Sequence, residues 1–167
     1  TLVGFYAMVF SFVVLCGAIQ AMSLGTGIVS KEIREKTADF LLTKPVSRER
    51  VLTSKIMAAL FALVITNLIY LGSTVLVATA IVGDYNLKLF LMISVTLFFV
   101  QLMFMALGII VSVMAGIIKS VISISLSTVF GFYIIGNLGS IVGEEKVRYI
   151  SPFRYFDTSY IISNASY

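Results

Sequence analysis

The chain has 167 residues, 59% of them hydrophobic and 12% charged, against roughly 45–50% and about 25% in soluble domains, so an ordinary water-soluble core is excluded. It holds no His and one Cys, Cys16, which rules out a His base, a His-built zinc site and an internal disulfide framework. The formal charge of +4 does not require nucleic acid as a partner, because most of the excess lies in one loop between apolar runs, where membrane orientation demands it.

Residues 1–30, 56–83, 89–118 and 120–143 contain no Asp, Glu, Lys or Arg, and about 20 apolar residues suffice for a spanning helix. A β-barrel would need short strands of alternating polarity. The run Ile56-Met-Ala-Ala-Leu-Phe-Ala-Leu-Val-Ile65 does not alternate. The fold class is therefore an all-α integral membrane protein within the lipid bilayer, with spans expected at 1–29, 52–82, 89–114 and 119–143.

The first span begins at Thr1 rather than a Met, so the chain is read as a fragment of a longer protein. After it come Lys31, Arg34, Lys36, Lys44, Arg48, Arg50 and Lys55. Basic residues are retained on the cytoplasmic side, so segment 30–50 is placed inside. The second span runs outward to a turn at Gly83-Asp-Tyr-Asn86. Residues 89–143 as one helix would measure about 80 Å, far beyond the roughly 30 Å hydrocarbon core. They must reverse, and Ala115–Ser120 is the place, with Gly116 relieving the turn and Lys119 snorkelling to the cytoplasmic headgroups. Segment 144–167 then lies on the extracytoplasmic side. Lys146, Arg148 and Arg154 pull against that orientation, yet with Lys88 they make four basic residues outside against eight inside.

Asn67 and Gln101 are isolated amides inside spans, and a polar group in hydrocarbon needs a partner. Interhelical hydrogen bonding and a substrate contact are both open. In the fourth span Ser123, Ser127 and Gly131 recur at four-residue spacing, a pattern that lets helices pack closely or lines a translocation path.

Between the first two spans, Ile33, Thr37, Phe40 and Leu41 share one helical face while Lys31, Glu35 and Lys36 point elsewhere. This describes an amphipathic helix of about three turns, ended by Pro45, with Ser47 placed to cap the next helix. Such a face either lies in the membrane interface or enters a groove on a protein partner. The mixed charges Glu32, Glu35, Asp39 and Glu49 favour the protein.

This segment resembles the first cytoplasmic loop of the ABC-2 permeases of ABC transporters, in their bacterial branch: Glu32, Thr37, Leu41, Leu42, Pro45, Val46, Ser47, Arg48 and Lys55 match in order and spacing. Lys36 stands where the family commonly has Gly. A second resemblance is Tyr149-Ile-Ser-Pro-Phe-Arg-Tyr-Phe156, similar to a stretch that follows the family's fifth helix on the outer side. The resemblance implies family helices two to five of an expected six, in a bacterial plasma membrane, with the loop as a coupling helix. It implies pairing with a second permease copy, identical or homologous, and docking on a cytoplasmic ABC ATPase subunit that holds ATP and Mg, so this chain itself would carry no cofactor. Glu32, Ile33, Thr37, Phe40, Leu41, Pro45 and Arg48 are the residues expected to contact that ATPase. The function expected is that of a permease subunit, not an enzyme, of an ATP-driven exporter. Gly25-Thr-Gly27 is followed by Ile28 and not by the Lys of a phosphate loop. The competing readings are a membrane enzyme and an ion-coupled carrier or channel. The first would need convergent ionisable residues inside the spans, where Lys119 stands only near an end, and the second is favoured by intramembrane carboxylates, whereas every carboxylate here lies in a loop.

Overall fold

The computed structural model describes residues 2–35, 43, 47–81, 83, 84, 86–143, 146, 149–154 and 164. Every regular element among them is helical: α1 (Leu2–Glu35), α2 (Arg48–Ile81), α3 (Leu87–Ala115), α4 (Val121–Val142) and a 3-10 turn, Pro152–Arg154. The four long helices are each long and apolar enough to cross a membrane.

Their ends follow from local side-chain chemistry. Arg50 N donates to Ser47 Oγ at 3.3 Å, so Ser47 satisfies one of the free amides with which any helix begins. Asn86 does the same for α3, accepting from Lys88 N at 3.1 Å, and Ser120 for α4, accepting from Ser123 N at 3.3 Å. Gly116 ends α3 at φ 65°, a left-handed region that costs a residue with a Cβ about 1–2 kcal/mol. The chain therefore turns there and α4 starts within five residues.

Helices α1 and α2 each have 34 residues, about 51 Å at 1.5 Å per residue. Both overrun the hydrocarbon core by some 20 Å. The helix α1 continues without a break through residues 30–35. The remainder of the loop, residues 36–42 and 44–46, lies outside the described residues.

α1 sits at the centre and packs most extensively on α3, then on α4 and α2. Its buried residues Phe10, Val14, Ala18, Ala21, Met22 and Ile28 recur at helical spacing and meet Ile93, Leu97, Val100, Phe104 and Met105 of α3. The outward side chains are large and apolar as well, among them Phe61, Leu76, Met114 and Ile141. Water would penalise such a surface; lipid does not.

The closest approach in the bundle lies between α1 and α3. A Cβ at Gly25 would stand 2.3 Å from Met105 O and 3.1 Å from Gly108 Cα, and one at Gly108 would stand 2.7 Å from Met22 O. Backbone touches backbone here, which only glycine at both positions permits. Gly17 meets Gln101, eight residues before Gly25 and seven before Gly108, so α1 and α3 run parallel.

Candidate functional site

Two regions carry chemistry: the C-terminal end of α1 and the N-terminal end of α2, which flank the loop, and the polar side chains between the helices.

Glu32 and Ile33 belong to the last turns of α1, and Arg48 opens α2 with its side chain exposed. Thr37, Phe40, Leu41 and Pro45 lie outside the described residues. The two arms are joined by a residue absent from the expected contact set. Lys55 is half-buried, and its Nζ donates to Ile28 O of α1 at 3.1 Å. Eleven residues further along α2, Gln20 Nε2 donates to Thr66 Oγ1 at 3.0 Å. Polar bonds thus tie α1 to α2 at two levels.

Asn67 and Gln101 come together in the middle of the bundle. Asn67 Nδ2 donates to Gln101 Oε1 at 2.5 Å and to Leu63 O at 2.9 Å. Gln101 is 0% exposed and Asn67 8%. Their remaining atoms, Asn67 Oδ1 and Gln101 Nε2, have no hydrogen-bond partner among the described residues, a condition that costs about 1–3 kcal/mol for each buried group. Gln101 Nε2 is directed at Gly17, where a Cβ would stand 2.9 Å away. The pair therefore links α2 to α3 and presses on α1. Beside it an open apolar groove of about 250 Å³ runs between α2 and α3, lined by Val64, Leu68, Leu71, Val95 and Phe98 together with Asn67 and Ser94.

Near the C-terminal end of α1 and the N-terminal end of α4 the buried polar groups are hydroxyls. Thr26 Oγ1 donates to Met22 O at 2.8 Å and lies 3.4 Å from Ser125 Oγ. Ser30 Oγ donates to Thr26 O at 2.5 Å. On α4, Ser125 and Val129 face the bundle, whereas Ser123 and Ser127 are exposed. Gly131 likewise has nothing within 4 Å of its Cβ position. The stripe at four-residue spacing thus points away from α1 and α3.

The end of the described chain returns to the helices. Ser151 Oγ donates to Phe132 O at 2.9 Å. The Phe153 ring lies 4.9 Å from that of Phe104 and 5.7 Å from that of Tyr133. Phe132 is ten residues before the end of α4 at Val142, about 15 Å along the helix. Eight residues of extended chain can span up to about 28 Å, enough for Ser151 to reach back to the level of Phe132.

No group of three His, Cys, Asp or Glu able to hold a metal occurs among the described residues. The described residues form long apolar helices tied to one another by amides and hydroxyls. A family model described as "Multidrug efflux system permease Rv1217c, C-terminal domain" matches residues 1–161.

The chain belongs to this family.

It is accordingly a membrane protein of transporter-permease type. No curated protein and no solved structure matches the chain. In this permease, residue types alone singled out Asn67 and Gln101, but Lys55, Thr26, Ser125 and the Gly25–Gly108 crossing emerge only in three dimensions. Gly25 carried a usable signal for the crossing, since a small residue in a membrane helix lets another backbone approach closely, whereas Gly27 faces open space. Lys55 stands in the loop pattern read from the sequence, but nothing in that pattern pointed to its bond with Ile28.

Proposed function

We propose that the chain is the transmembrane subunit of an ATP-driven exporter of the ABC-2 type, in the plasma membrane of a bacterium. It pairs with a second permease copy and with cytoplasmic ATPase subunits that hold ATP and Mg. Multidrug efflux is what the family description names, and we carry that role to this chain.

The observation that supports this most is the junction between α1 and α2. Two helices overrun the membrane on the side where seven basic residues gather, and the segment joining them carries the Phe40-Leu-Leu…Pro45-Val-Ser-Arg48 pattern, with Ser47 capping α2. A short amphipathic segment on two long rigid arms is suited to convert a push from a partner into a displacement of the spans. In this reading Phe40 and Leu41 fill a groove on the ATPase, and Glu32 and Arg48 make polar contacts around it. ATP is hydrolysed in the partner chain. In the triplet Gly25-Thr-Gly27, Gly25 lies against the backbone of α3 and Thr26 is buried, and the Lys of a phosphate loop does not follow it.

The test is co-purification of the full-length protein with the ATPase encoded beside it, followed by reconstitution and assay of ATP-dependent dye export. Replacing Phe40 and Leu41 by Asp should abolish both association and export while leaving the permease folded. Stable association in that double variant would defeat the coupling assignment.

A further inference from the structure

The bond from Lys55 to Ile28 occupies a mechanically distinctive position. It joins α2 to α1 at the end of the apolar runs nearest the loop, from Lys55, the last charged residue before the charge-free run 56–83, to Ile28, three residues before Lys31. An ammonium has three N–H donors, so this bond uses one of them and leaves capacity for others. Its acceptor, Ile28, is buried and lies one helical turn from Gly25. Gly25 in turn lies against the backbone of α3 at Met105 and Gly108. Lys55, Ile28, Gly25 and Gly108 therefore form a short, continuous series of contacts from the base of α2 through α1 into α3. By contrast α2 has few buried residues, Ala59, Leu63, Asn67 and Ala78, and touches α1 sparsely. Without a polar tie at its base, a helix so lightly packed could swing alone when its inner end is pushed.

Building on the ATP-driven reading above, we propose that Lys55 is a positioning residue for energy coupling: it pins the base of α2 to α1 so that force delivered to the loop moves α1 and α3 together. Lys55 touches neither ATP nor substrate. Its effect appears in how much transport each hydrolysed nucleotide produces.

The experiment uses the full-length permease assembled with its ATPase in proteoliposomes, with substrate moved and ATP hydrolysed measured in the same sample. Lys55→Met removes the donor while keeping the length of the side chain. It should leave ATPase association, basal hydrolysis and melting temperature near wild type and lower substrate moved per ATP about tenfold, a typical size for coupling between sites. Lys55→Arg keeps a cationic donor and should restore most of the ratio, which a loss of packing alone would not predict. If Lys55→Met fails to fold in the membrane, Lys55→Gln keeps a neutral donor of shorter reach and should give an intermediate ratio. A wild-type ratio in Lys55→Met, or a Lys55→Arg variant as defective as Lys55→Met, would overturn the assignment. So would a Lys55→Met variant that loses the ATPase, since that places Lys55 in the docking surface. A wild-type assembly that neither binds nor hydrolyses ATP would instead remove the ATP-driven reading on which the assignment rests.

Discussion

The Gly25–Gly108 crossing yields the most quantitative expectation. Ordinary van der Waals contact for a Cβ begins near 3.4 Å, and the Ala side chain in Gly25→Ala would stand 2.3 Å from Met105 O, so α1 and α3 must separate by 3.4 − 2.3 = 1.1 Å. In Gly108→Ala the corresponding shift is 3.4 − 2.7 = 0.7 Å at Met22 O. In both cases the atom in the way is backbone, which cannot rotate aside. Overpacking of this kind costs about 1–3 kcal/mol, and the Gly25 variant belongs near the upper end. Gly27 has nothing within 4 Å of its Cβ position. Gly27→Ala should therefore be neutral or stabilising by up to about 1 kcal/mol, the helix-propensity gain of Ala over Gly. Thermal unfolding in detergent, followed by circular dichroism or by retention on size exclusion, ranks the three variants. If Gly25→Ala melts with Gly27→Ala, the two helices do not cross where the structure puts them.

A double-mutant cycle on Asn67→Leu and Gln101→Leu should return a coupling of about 1 kcal/mol, within the range found for interhelical hydrogen bonds in membranes; additive losses would mean that the amides do not bond. Phe153→Ala should lower stability by about 1–3 kcal/mol through lost aromatic contact and burial, seen as a lower melting temperature, and an unchanged value would argue against docking of the Ser-Pro-Phe turn on α3 and α4. Ser125→Ala removes a hydroxyl near Thr26 and should cost more stability than Ser127→Ala, which lies on the exposed face of α4; equal effects would contradict the assigned rotation of that helix.

How far the sequence discloses this architecture depends on which physical signal each feature rests on. Four helices are legible because hydrocarbon admits few other solutions and the charge-free runs are long. The reversal at Gly116 is legible from length, since 55 consecutive residues cannot cross one bilayer as a single helix. Rotation of the helices about their axes is not legible. With apolar side chains on every face, the pattern does not separate the lipid side from the packed side, and the stripe Ser123, Ser127 and Gly131 proves to be the exposed one while Ser125 faces α1. Asn67 and Gln101 stand out as isolated amides, but their meeting depends on a register between α2 and α3 that no local pattern encodes. The return of Ser151 to the level of Phe132 is a tertiary event as well, because a short polar stretch after a span reads simply as a connection. Of the loop, Ser47 is visible as a cap and as the start of α2, whereas Thr37, Phe40, Leu41 and Pro45 fall outside the described residues.

The central claim is that a cytoplasmic ATPase grips the segment between α1 and α2. A photoreactive phenylalanine analogue incorporated at position 40 of the full-length protein tests it directly, in membranes that also contain the neighbouring ATPase and support export. Irradiation should join the permease to the ATPase subunit in a single defined adduct. A transport-active preparation in which position 40 cross-links only to lipid, or becomes labelled by a membrane-impermeant reagent from the outer side, would contradict the account.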